Sequence, residues 1–67
     1  MYPVQVRMIK EMKSGMHKGM TLGHYTGFWC EKDAIAWAKS VSESPRTDYR
    51  VISMVNIKTD KVVFEIV

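Results

Sequence analysis

The side chains of this sequence best suited to nucleophilic or metal chemistry are one thiol and two imidazoles: Cys30, His17 and His24. Cys30 directly precedes the segment EKDAIAWAKS and so occupies a helix N-cap position, a setting in which thiols are often reactive. A nucleophile also needs a base within hydrogen-bond reach. His24 stands six residues earlier on an extended segment, roughly 20 Å away at about 3.3 Å per residue, and only His17, on a connecting loop, is left. The three residues match no zinc-ligand spacing, and structural zinc takes four ligands. Lys18-Gly19 does not open a helix as a phosphate-binding loop must. No catalytic residue, no metal and no cofactor is expected, and Cys30 reads as a partly buried structural thiol.

What remains is surface. Residues 1–20 hold four cations, Arg7, Lys10, Lys13 and Lys18, against Glu11 alone, while the other 47 residues balance six basic against six acidic groups. The whole formal charge of +3 is therefore local, and a basic lobe of this kind draws in anionic partners. All four glycines fall at every fourth position, Gly15, Gly19, Gly23 and Gly27. On a strand, residues of equal parity share a face, so this spacing leaves one side nearly bare around Tyr25 and Trp29. Arg7, Lys10, Lys13, His17, Lys18, Tyr25 and Trp29 are accordingly candidate partner-binding residues.

These residues are positioned by elements legible from local pattern. Over residues 2–12, Tyr2, Val4, Val6 and Met8 alternate with Gln5 and Arg7, the period of a strand, and the β-branched Val4 and Val6 favour it; the alternative is a helix that starts at Pro3, stops at Gly15 and carries Val4, Met8 and Met12 at a spacing of four. KSGMHKG, residues 13–19, reads as a hairpin connection to a second strand over about 20–29. Met20, Leu22 and Phe28 favour its even-numbered face as core, which buries His24 and Thr26; the alternative packs Trp29 on Ala34 and turns the glycines inward. In CEKDAIAWAKSVSES, Ala34, Trp37, Ala38 and Val41 form one apolar helical stripe, with Lys32, Ala36, Lys39 and Glu43 opposite. Glu31 and Asp33 suit the first turn of that helix, and Ser44-Pro45 ends it.

The closing segment, YRVISMVNIKTDKVVFEIV, reads as a hairpin with a two-residue turn at Thr59-Asp60. That register sets Ile57 opposite Val62, Val55 opposite Phe64 and Ser53 opposite Ile66. It predicts a helix-facing side of Val51, Val55, Ile57, Val62, Phe64 and Ile66. The reverse side then carries Ile52, Met54, Val63 and Val67, an apolar patch suited to a partner or to a homodimer. The expected fold is α+β: a two-layer β-β-α-β-β domain, with a four-stranded, mainly antiparallel sheet in the order 2-1-3-4 and one helix on one face.

A chain of 67 residues, 46% hydrophobic and 25% charged, is one globular domain with little room for a buried active site. A lone cysteine fits a reducing, cytoplasmic setting. The opening MYPVQVRMIKEMK has no apolar core of the kind a secretory leader requires, and no apolar run is long enough to cross a membrane.

This layout, VQVRMIKEM as a basic, methionine-rich strand, a second strand entering a helix through CEKDAIAWAKSV, and a closing strand pair, resembles the small accessory proteins that tailed bacteriophages make early in infection. It is similar in outline to phage antitoxins of the discriminator-of-mRNA-degradation type, whose helix also follows an acidic cap and bears a Trp-Ala pair. The resemblance implies a non-enzymatic inhibitor of a host enzyme or defence component, and it carries over no functional residue. The expected partner is a protein, for which an acidic surface would complement the basic lobe; single-stranded nucleic acid, stacked on Tyr25 and Trp29 beside the basic hairpin, is the second expectation.

Overall fold

The computed structural model describes residues 2–66. Four strands, β1 (Val4–Met12), β2 (Thr21–Phe28), β3 (Tyr49–Asn56) and β4 (Val62–Glu65), and one helix, α1 (Glu31–Glu43), follow in the order β1-β2-α1-β3-β4. The strands form one antiparallel sheet in the order β2-β1-β3-β4, the α+β arrangement that the sequence predicts.

Alternation along β1 sends Val6 and Met8 to one side, where both are buried, and Arg7 to the other. Against that side lies α1 with the expected stripe: Ala34 and Ala38 are fully buried, and Trp37 and Val41 pack beside them. Val51 and Met54 of β3 complete the core. Burying each large side chain here contributes about 1.5–3 kcal/mol before the entropy of ordering the chain is set against it. The small Ala34 and Ala38 let the helix axis approach the sheet, and Phe28 meets Trp37 with ring centroids 5.7 Å apart. Ser44, in extended conformation, terminates the helix ahead of Pro45.

The first hairpin turns through Gly15 and Gly19, whose φ angles of 85° and 90° lie in the left-handed region that favours glycine. Met12 and Met20 close it through Met12 N–H donating to the Met20 carbonyl at 2.9 Å. The even-numbered residues of β2 do share the helix side, since His24 and Thr26 pair with the buried Met8 and Val6. The helix packs most closely on β3, then β4, and reaches β2 only marginally. His24 is therefore exposed rather than buried, and Met20 and Leu22 also keep nearly half their surface in solvent.

The second hairpin departs from expectation. Its pairs are Val55 with Val62, Met54 with Phe64 and Ser53 with Glu65, and the connection spans residues 57–61. Asn56 accounts for the longer turn. Its Oδ1 accepts from the N–H groups of Lys58 and Thr59 at 2.9 and 3.2 Å, so the chain starts to turn directly after Asn56. Asp60, at a φ of 59°, brings the chain back to β4.

Two bulges then redistribute the faces. Ile9 pairs with Ser53 but Lys10 with Val51, leaving Ile52 as an extra residue of β3; likewise Val63 is extra in β4. One inserted residue reverses the in-out alternation beyond it. Val51 is inward, yet past Ile52 it is Met54 and Asn56 that are buried. Val55, Ile57 and Val62, expected beneath the helix, lie on the opposite face or in the loop, and Ile57, Val62 and Ile66 are exposed. Phe64 does point inward, as Met54's partner.

Candidate functional site

The helix covers one face of the sheet. On the other, cross-strand pairing places Tyr25 of β2, Arg7 of β1, Val55 of β3 and Val62 of β4 in one row. Arg7 sits near the middle because β1 is an interior strand, and it faces outward because Val6 and Met8 on either side of it are committed to the core. Tyr25 is 69% exposed, since its parity on the edge strand points it away from the helix. Arg7, Tyr25, Val55, Ile57 and Asp60 line a shallow cleft of about 120 Å³.

The chemistry of this cleft is recognition. Among the described residues, Arg7 has no carboxylate within ion-pair distance; the one such pair there is Arg50 with Glu11, Arg50 Nε donating to Glu11 Oε1 at 2.9 Å. Arg7 therefore presents a guanidinium fork with no ion-pair partner among the described residues, in a cleft it shares with Tyr25, Val55, Ile57 and Asp60. A planar guanidinium so placed suits bidentate contact with a carboxylate. A second groove, about 410 Å³, opens at the first hairpin and is lined by Glu11, Met12, Lys13, Lys18, Gly19 and Arg50.

Of the residues singled out in the sequence, Arg7 and Tyr25 are brought together in the cleft and Lys13 and Lys18 line the second groove; the others are scattered. Lys10 falls on the helix side, its Nζ 4.3 Å from the centre of the Tyr49 ring, a cation–π contact. Lys13 is occupied at the C-terminus of α1, where its Nζ donates to the carbonyls of Ser42 and Ser44 at 3.2 and 2.9 Å. His17 and Lys18 are exposed in the turn. Trp29 is exposed and packs edge-on against Tyr2, 4.9 Å between centroids, not on Ala34.

The apolar patch assigned to the last hairpin requires correction. Met54 is completely buried, Val63 packs against the core, Ile52 is half-buried in the bulge, and Val67 lies outside the described residues. Charged substitutions at Met54 would strike the core, not an interface. The outward apolar residues of that hairpin are Val55, Ile57 and Val62. No periodicity flagged them, because the signal for their face depends on where the bulges fall.

Cys30 is the N-cap residue as expected, but it is exposed, and its side chain makes no capping hydrogen bond. Among the described residues, no group of three or more histidine, cysteine or acidic side chains is placed to hold a metal ion, and the one helix there, α1, is not long and apolar enough to cross a membrane. No protein-family model, curated protein or solved structure matches this chain.

Proposed function

We propose that this chain is a non-enzymatic protein-binding module whose contact surface is the sheet face opposite the helix. The observation that carries the reading is Arg7: a central, outward cation, unpaired among the described residues and framed by exposed Tyr25 and Ile57. Interfaces concentrate their energy in arginine and aromatic anchors of this kind. The partner is a protein that presents a carboxylate flanked by apolar groups, the carboxylate meeting Arg7 and the apolar groups meeting Tyr25, Val55 and Ile57. In keeping with the phage-like layout, binding acts by masking a surface of a host enzyme or defence component, in the cytoplasm, where an exposed lone thiol stays reduced.

The alternative, single-stranded nucleic acid stacked on Tyr25, draws support from the exposed ring beside Arg7. It loses two phosphate contacts that the sequence suggested, since Lys10 and Lys13 are engaged within the fold. Capture of partners from bacterial lysate, with and without nuclease, separates the two. A protein retained after nuclease treatment and lost with Arg7→Glu, at a cost of roughly 2 kcal/mol or more in affinity, supports the proposal. A ligand removed by nuclease, with affinity falling steeply in salt, supports the alternative.

A further inference from the structure

The two edges of the sheet are built differently. β4 has four residues, a bulge, Glu65 within it and Lys61 just before it, devices by which proteins keep an edge from pairing with another chain. β2 has eight residues in unbroken register with β1, and no charged residue, proline or bulge. Five of the large apolar side chains that remain exposed, Tyr2, Met20, Leu22, Tyr25 and Trp29, lie on or beside β2. Gly23 adds a further sign. Its φ is not positive, and a Cβ there would meet nothing closer than the Met8 carbonyl oxygen at 3.8 Å. Glycine within a strand weakens it, nothing within the chain requires Gly23, and its bare outer face leaves space beside Tyr25.

We propose that β2 pairs with β2 of a second copy, antiparallel across a twofold axis at Tyr25, to form a continuous eight-stranded sheet. Three features select a second copy. The sequence around Tyr25 is symmetric in kind: Gly23 and Gly27 are related by the axis, as are His24 and Thr26, and Leu22 and Phe28. The strand is uncharged, so like charges do not oppose one another across the axis although each chain carries +3. Hydrogen-bond direction agrees as well. Met12 bonds to Met20 across the first hairpin, and antiparallel ladders alternate, so even-numbered residues of β2 bond to β1 while Thr21, Gly23, Tyr25 and Gly27 aim their N–H and C=O groups at the free edge.

With Tyr25 opposite its own copy, odd residues meet odd residues and both helices stay on one side of the sheet. Leu22, left uncovered because the helix barely reaches β2, then meets Phe28 of the second copy. On the outer face, the open space above Gly23 leaves room for the Tyr25 ring of the second copy, while Tyr2 already covers Gly27, and the two Arg7 clefts become parts of one surface. A dimer held by one strand pair and its flanking side chains belongs among small interfaces, so it is expected at ~1–100 μM. It forms in pure protein and does not rest on the partner assignment above.

Sedimentation of the full chain from about 5 to 500 μM, paired with residue-resolved amide exchange, tests the proposal. The expected result is a monomer–dimer equilibrium in which the amides of Gly23, Tyr25 and Gly27 gain protection as concentration rises. Leu22→Lys, on the helix side and away from the Arg7 cleft, should weaken the dimer by roughly 100-fold, because the lost contact occurs twice. In a Cys30→Ser background, Tyr25→Cys should oxidise to a disulfide-linked dimer. Gly23→Cys should not, its two copies lying about 13 Å apart in this register. A monomer throughout, with those three amides unprotected, overturns the proposal; so does a dimer that Leu22→Lys leaves intact, or one that Gly23→Cys cross-links in preference to Tyr25→Cys.

Discussion

Tyr2 lies directly across Gly27: a Cβ on Gly27 would come within 2.8 Å of the Tyr2 Cβ and 2.9 Å of its ring. Gly27 faces the side of the sheet away from the helix, so Tyr2 has left the alternation of β1 and folded over the outer face, where it meets Trp29. Gly27→Ala is expected to destabilise the protein by about 1–3 kcal/mol through this overlap, measured by urea denaturation. Tyr2→Gly in the same chain, which removes both the Cβ and the ring that a Gly27 side chain would meet, should relieve most of that overlap. Gly23→Ala, with open space around it, should leave the stability of the monomer unchanged or raise it by about 0.5–1 kcal/mol.

Met54 is the most informative core position, since its neighbour Val55 looks equally apolar in the sequence and faces outward. Met54→Ala should cost about 2–5 kcal/mol, enough to unfold much of the population of so small a domain. Val55→Ala is expected to cost clearly less. Equal losses at the two positions in thermal melts would contradict the bulged register of β3.

Asn56 ties the second hairpin to the helix. While its Oδ1 holds the turn, its Nδ2 donates to Glu31 Oε2 at 3.1 Å, and the residue is buried. Asn56→Ala leaves the loop N–H groups without this acceptor and is expected to cost about 2–3 kcal/mol. Glu31→Gln, which keeps an acceptor oxygen, should cost under about 1 kcal/mol.

Lys13 reaches from the end of β1 to the last carbonyls of α1, a charge-assisted cap at the negative end of the helix dipole. Lys13→Ala should lower stability by about 1–2 kcal/mol, and exchange of the amides in the last turn of α1 should accelerate. Lys18→Ala, in the exposed turn, serves as the control with no measurable change.

The other end of the helix is undercapped. Cys30 has the extended backbone of an N-cap but no side-chain hydrogen bond to the first turn. Cys30→Ser and Cys30→Asp are each expected to raise stability by about 0.5–2 kcal/mol, read as an upward shift of the melting temperature.

Read alone, the sequence determined the order of the elements and the kind of all but the first, which also admitted a helical reading until its pairing with β2 and β3 showed a strand. The strand alternation of Val4, Val6 and Met8, the helical stripe of Ala34, Trp37, Ala38 and Val41, the stop at Ser44-Pro45 and the glycine-bearing first turn are local signals, each written within a dozen residues or so. Two of the site residues, Arg7 and Tyr25, were legible for the same reason: the β1–β2 ladder is regular, so parity alone assigns their face. Only the tertiary structure decided the rest. The faces of β3 and β4 depend on Ile52 and Val63 standing as extra residues, which the mutual fit of neighbouring strands settles and no single segment records. The engagement of Lys10 with Tyr49 and of Lys13 with the end of α1, the outward turn of Val55 and Ile57, and the placing of Tyr2 over Gly27 all arise between residues far apart in the chain. Period-two reasoning holds while a ladder is unbroken; one inserted residue exchanges core for surface beyond it, and that is where Met54 and Val55 trade places.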